Sequence, residues 1–127
     1  MASTISGITF KKTGSCNDIY IQLYQGKTIS FNLIWGGSTP VDVTGYDARM
    51  QFRTAYDSAT IELEFNVSNS RVTVGTTDGK FQFNMTAADS AALTISTGVY
   101  DLEVINYSGE VFLAMSGRYT ILPEVTK

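Results

Sequence analysis

The sequence predicts an all-β fold, an antiparallel sandwich of about eight short strands with one short helical crossover. Three observations carry this expectation. Apolar residues recur at every second position, the period of a strand with one buried face. Turn signals rich in Gly, Ser, Asn and Asp separate the runs at short intervals, as in a sandwich. Strand and helix patterns do not alternate, so a parallel sheet with crossover helices is not expected. The 127 residues suit one domain, and a hydrophobic content of 43% is enough to build its core.

Residues 1–17 are polar and weakly patterned. Ile5, Ile8 and Phe10 allow one short strand or an arm, and residues 13–17 read as a loop. The division is therefore 1–17 as an N-terminal arm or extra strand and 18–127 as the sandwich. Residues 18–24 alternate, with Ile19, Ile21 and Leu23 inward and Tyr20, Gln22 and Tyr24 outward. Gln25-Gly26 turns the chain. Residues 28–35 alternate again, with Ile29, Phe31, Leu33 and Trp35 inward. Residues 36–40, GGSTP, form a turn cluster and 41–44 a short extended piece. Residues 46–53 place Tyr46, Ala48, Met50 and Phe52 inward. Residues 60–65 place Ile61, Leu63 and Phe65 inward with Glu62 and Glu64 outward. Val72 and Val74 mark a short strand.

Asp78-Gly79 is the strongest short hairpin signal, and Phe81, Phe83 and Met85 follow inward. The period then changes. Residues 86–93, TAADSAAL, form the expected helix, with Thr86 as its N-cap and Asp89 in its first turn. Residues 99–106 return to strand, with Tyr100, Leu102 and Val104 inward and Asp101 and Glu103 outward. Residues 107–110 form a hairpin. Residues 111–115 and 117–122 form a last pair of strands, or one strand bent at Ser116-Gly117.

The exclusions are as informative as the pattern. The chain has no histidine, which removes the commonest general base, the commonest zinc ligand and the Ser-His and Cys-His nucleophile pairs. Its single cysteine, Cys16, rules out an intrachain disulfide and reads as an unused thiol. A net charge of −3 is the wrong sign for a protein that neutralises phosphates, so no nucleic-acid partner is expected. No apolar run approaches the length of a membrane span, so no membrane partner is expected either. The first twelve residues lack the pattern of a secretory leader. The expected setting is a cytoplasm, or a particle assembled there. The sequons at Asn66, Asn84 and Asn106 then read as chance.

No stretch reads as a phosphate loop, since Gly36-Gly37 leads to Ser, Thr and Pro. The carboxylate pairs Glu62/Glu64 and Asp101/Glu103 alternate with core positions, as on the wet face of a sandwich. Arg49 and Arg53 share that face and offer cross-strand ion pairs. Trp35 is expected as a core anchor between the sheets. No catalytic residue, metal site or cofactor is expected, and the chain reads as a non-enzyme. Tyr20, Tyr24, Tyr56 and Tyr107 fall on outward positions or loops. Surface tyrosines among few lysines suit a contact surface, so these four are the candidate partner-contact residues.

Four ordered motifs add a resemblance. They are Gln25-Gly26 followed by KTISFNL, PVDVTGYDARMQFR at 40–53, GVYDLEV at 98–104 and GRYTILPEVT at 117–126. In this order they resemble small immunoglobulin-like structural proteins of tailed bacteriophages and prophages. The matching positions are Asp18, Gln25, Gly26, Asp42, 44–53, Gly98, 100–103, Gly117 and 123–126. Val43 stands where leucine is usual and Phe52 where a smaller residue is common. A looser likeness runs to the N-terminal domain of upper baseplate proteins of phages of Gram-positive bacteria. The resemblance implies an immunoglobulin-like sandwich and a virion structural role, as an adaptor or attachment module at the tail, baseplate or fibre. It implies other virion proteins as partners, and a homo-oligomer in the particle is expected. Two other readings stand beside it: a capsid decoration protein, and a module binding a host glycan or receptor through the surface tyrosines.

Overall fold

The computed structural model describes residues 6–12 and 18–125. Ile5, Cys16, the expected loop 13–17 and Thr126 lie outside the described residues. The chain order is β1 (Ile8–Lys12), β2 (Ile19–Tyr24), β3 (Ile29–Ile34), β4 (Asp47–Arg53), β5 (Leu63–Asn66), β6 (Val72–Val74), β7 (Lys80–Met85), α1 (Ala87–Ala91), β8 (Thr97–Ile105) and β9 (Val111–Leu122). These strands make two sheets. One has the order β1-β2-β9-β8-β4-β5 and the other β3-β7-β6.

Alternation explains why the sheets face each other. In β4 the side chains of Ala48, Met50 and Phe52 are buried, and in β8 those of Tyr100, Leu102 and Val104. Phe31 and Phe83 do the same on the small sheet, stacked with ring centroids 4.6 Å apart. Phe65 of β5 lies 6.1 Å from Phe83 and 6.1 Å from Phe52, so the ring contacts run from one sheet to the other. Phe52 in turn meets Tyr119 edge-on at 5.1 Å and Tyr100 at 5.4 Å. Such pairs add roughly 0.5–1.5 kcal/mol each beyond the apolar area they bury.

The N-terminal strand ties the two sheets along one side. Ser6 exchanges two backbone hydrogen bonds with Ser30 of β3, at 2.9 and 3.0 Å. Two residues later Ile8 pairs with Leu23 of β2 in the large sheet and is buried in the core. Gly7 makes the switch with φ +68°, and a Cβ there would sit 2.6 Å from the Thr28 carbonyl oxygen. Residues 8–12 thus form an added strand.

Several expectations need correction. The nine strands among the described residues agree with the expected all-β sandwich of about eight, but the large sheet is mixed and not purely antiparallel, because β2 runs parallel to β9. Period-two patterning sets which face a residue takes but not which strand lies beside it. Residues 41–43 join no strand and the turn falls at Thr44-Gly45; Asp42 accepts hydrogen bonds from Thr44 N–H at 3.0 Å and Thr44 O–H at 2.7 Å. The expected strand 60–65 begins only at Leu63, and Ile61 is exposed. Tyr46 is half-buried just before β4. The last strand is one continuous element. Its irregularity lies at Ala114, where Leu102 pairs with Met115 and the next residue, Glu103, with Leu113. The helix takes its expected cap, with Asp89 N–H donating to Thr86 Oγ1 at 3.1 Å. Arg49 pairs with Glu103 at 2.8 Å, whereas Arg53 donates to the Ser58 carbonyl and Gln51 Oε1.

Tyr100 gives a test of the packing. Its hydroxyl donates to the Ile19 carbonyl, and burial, with a smaller contribution from Asp18, raises its ionisation well above 10.0. An unfolded tyrosine ionises first, so this group's contribution is intact below pH 10 and drains away as pH rises beyond it. Urea unfolding midpoints should therefore be steady as pH approaches 10 and then fall. Tyr100→Phe should start lower and fall less steeply.

Candidate binding face

The candidate face is built by three connections that meet at one end of the sandwich. They are residues 35–46 between β3 and β4, residues 75–79 between β6 and β7, and residues 106–110 between β8 and β9. Register places them together, since Asp47 pairs with Ile105 and Ile105 with Val111 at this end of the large sheet.

Each connection is held by its own polar groups. In the first, Val41 N–H returns to the Trp35 carbonyl at 3.0 Å and Tyr46 N–H to Val43 at 2.9 Å. In the second, Asp78 Oδ1 accepts from the N–H groups of Thr76 and Lys80, both at 3.2 Å. In the third, Asn106 Oδ1 accepts from Ser108 N–H at 3.0 Å and Glu110 N–H at 2.9 Å, while its amide donates to Glu110 Oε1 at 2.9 Å. The first two are also bonded to each other. Trp35 N–H donates to the Gly79 carbonyl at 2.7 Å and Val43 N–H to Thr76 at 3.0 Å. Gly79 has φ +67°, and a Cβ there would lie 2.6 Å from the Trp35 carbonyl oxygen, so the approach needs glycine.

Aromatic rings run outward from the core to this end. Buried Phe81 lies 6.4 Å from Tyr46, and Tyr46 lies 6.4 Å from Tyr107, which is 78% exposed. Trp35 is half-buried here, packed against the core and against Phe112 of the large sheet at 6.0 Å, so it bridges the sheets at their end and not at their centre. Val111 and Leu113 are 51% and 52% exposed, and Val41 and Phe112 are also open. The irregularity at Ala114 turns Leu113 to the face of Glu103 and Phe112 to the face of Val104. Val111 and Leu113 thus expose apolar side chains on the outer face and Phe112 at the end of the inner one, which suits a contact at this end of the strand.

The carboxylates here are exposed. The Thr44 side chain and then its backbone N–H hold the Asp42 carboxyl below its ordinary range. Among the described residues, no group of three or more His, Cys, Asp or Glu stands where a metal ion would be held. No helix among the described residues is long and apolar enough to cross a membrane.

The four expected contact tyrosines do not share a surface. Tyr20 and Tyr24 are half-buried on the outer face of β2, and Tyr20 donates to Thr120 Oγ1 at 2.8 Å. Tyr56 is 85% exposed at the far end of β4, roughly 20 Å along the strands from Tyr107. It borders a cleft of about 120 Å³ lined by Gln51, Arg53, Val99, Tyr100 and Asp101. Partial desolvation, with a smaller effect from Glu103, raises the Asp101 carboxyl. Only Tyr107 of the four lies on the loop end. The period of two places its neighbours Trp35 and Tyr46 inward and reads Val111, Phe112 and Leu113 as an ordinary strand. The uninterrupted apolar run VFLAM was the available signal.

No family model matches the chain, and no curated protein matches it. Among solved structures it is similar to a GspB Siglec domain, at 12% identity and a TM-score of 0.42, with 95% of this chain and 59% of that chain covered. The chain thus spans less than two thirds of that structure's length.

Replacing Asn106 with Ala removes the group that closes the third connection. The expected loss is about 1–2 kcal/mol of unfolding free energy in urea titrations. Loss of fixed chemical shifts for Tyr107 should accompany it.

Proposed function

We propose that this chain is an immunoglobulin-like structural module of a tailed-bacteriophage particle, an adaptor at the tail, baseplate or fibre that joins other virion proteins through its loop end. The observation that carries the reading is the exposure of Tyr107 and of Val111, Phe112 and Leu113 at the start of β9, beside two connections that are hydrogen-bonded to each other. A surface of this kind is disfavoured on a free monomer and favoured at a protein contact. The strand order supports the immunoglobulin-like part. The order β9-β8-β4-β5 against β3-β7-β6 corresponds to the GFC-C′ and BED arrangement of a variable-type sandwich. The motifs at 40–53, 98–104 and 117–126 support the phage part. On this reading affinity comes from buried surface and repeated copies, and the chain breaks no bond of a substrate.

The test is made on particles induced from the genome that encodes the chain. Mass spectrometry should find the chain in purified virions, and electron cryomicroscopy should place it on the tail or baseplate. A place on the shell would support capsid decoration in its stead, and absence from virions would contradict both. Tyr107→Ser with Leu113→Ser should abolish incorporation while the isolated chain keeps its unfolding midpoint.

A host-glycan reading is favoured by one feature, the Tyr56 ring beside Arg53, Gln51 and Asp101. An aromatic platform with planar hydrogen-bonding neighbours suits a sugar. Glycan-array binding that Tyr56→Ala removes would support this reading, and no binding above background would dismiss it.

A further inference from the structure

We infer that the partner seated on the loop end presents a cationic protein surface, with Arg or Lys side chains flanking an apolar or aromatic anchor. This rests on the reading of the loop end as the contact face, and it adds the chemistry of what is contacted.

Charge carries the inference. The three connections contribute Asp42, Asp78 and Glu110, all exposed, and Asp47 follows directly, also exposed. Residues 35–46, 75–79 and 106–110 contain no Lys or Arg. The next cations along the chain are Arg49, two residues past Asp47 and already paired with Glu103, and Lys80, half-buried at the start of β7. Ion pairs among the described residues join Lys27 to Glu124, Arg49 to Glu103 and Arg71 to Asp89, so none uses these carboxylates. Asp42 and Asp78 each spend Oδ1 on turn N–H groups, and no described residue donates to their Oδ2 atoms. A negative rim around exposed rings matches a guanidinium or ammonium group, which can pair with a carboxylate and lie over an aromatic face. Complementary rims of this kind set partner choice and encounter rate more than total affinity.

Other occupants fit less well. Nucleic acid would bring the same sign of charge. A second copy carries exposed Lys11 and Lys12 on edge strand β1, but as successive strand residues they point to opposite faces, and β4, β8 and β9 offer no purely cationic face. Arg118, Val99 and Arg53 form one cross-strand row there, but Ser116, Asp101, Gln51 and Glu64 form the next, so charges of both signs alternate.

The experiment selects a displayed library of random dodecapeptides against the full chain and against Asp42→Asn/Asp78→Asn/Glu110→Gln. The amides keep the oxygens that accept the turn hydrogen bonds, so the connections should persist, as circular dichroism and a thermal melt will show. If the triple variant unfolds, Asp78→Asn and Glu110→Gln are used singly. Peptides rich in Arg or Lys with an aromatic residue should be enriched on the full chain. Their affinity should fall about tenfold or more on the triple variant, and in raised salt. Neutral or acidic peptides, no enrichment, or equal binding to the amide variant would overturn the inference. Binding lost in Tyr107→Ser but kept in the amide variant would sink the charge argument and leave the contact face standing. Binding indifferent to both would sink the contact face itself. Concentration-dependent self-association that the amide variant abolishes would identify a second copy as the occupant and contradict the inference.

Discussion

The whole arrangement depends on the aromatic contact between the two sheets. Phe52 sits between Tyr100, Tyr119 and Phe65, and Phe65 hands the contact to Phe83 and Phe31 on the opposite sheet. Rings of this size fix how far apart the sheets stand and how they are rotated. The loop end inherits that geometry. β3 and β7 leave the small sheet there, and β4, β8 and β9 leave the large one, so the three connections meet only if the sheets are held in register. The hydrogen bonds from Trp35 to Gly79 and from Val43 to Thr76 then join the first two connections.

The extra residue at Ala114 decides what that end displays. Below it the inward series Met115, Gly117, Tyr119 and Ile121 continues into the core. Above it the alternation is shifted by one, so Leu113 leaves the core face and Phe112 takes it beside Trp35. Strict alternation would have kept Leu113 on the inner face and put Phe112 on the outer one. One inserted residue thus changes which apolar side chains are offered to a partner.

Much of this was legible in the residues. The period of two located β2, β3, β4, β7 and β8, because each turns alternate side chains toward the core. Asp78-Gly79 and Thr86 announced a hairpin and a helix start through local chemistry that needs no tertiary context. Neighbour relations were not legible. That β2 lies parallel to β9 is set by how the chain crosses between sheets, and side-chain period carries no trace of it. Trp35 and Ile61 show a second limit. Both keep the inward phase of a strand but sit where the strand has ended or not yet begun, so phase alone overstates their burial. Of the contact residues, Tyr107 was legible as a loop aromatic. Val111 and Leu113 were not, since their exposure follows from a register shift between two strands.

The central claim is that the loop end is a rigid, preformed surface rather than three independent loops. Backbone nitrogen relaxation of the isolated chain tests it most directly. Order parameters for residues 35–46, 75–79 and 106–110 should come close to those of β4 and β8, about 0.85. Values of about 0.6 or lower across these residues, with the strands remaining rigid, would contradict it.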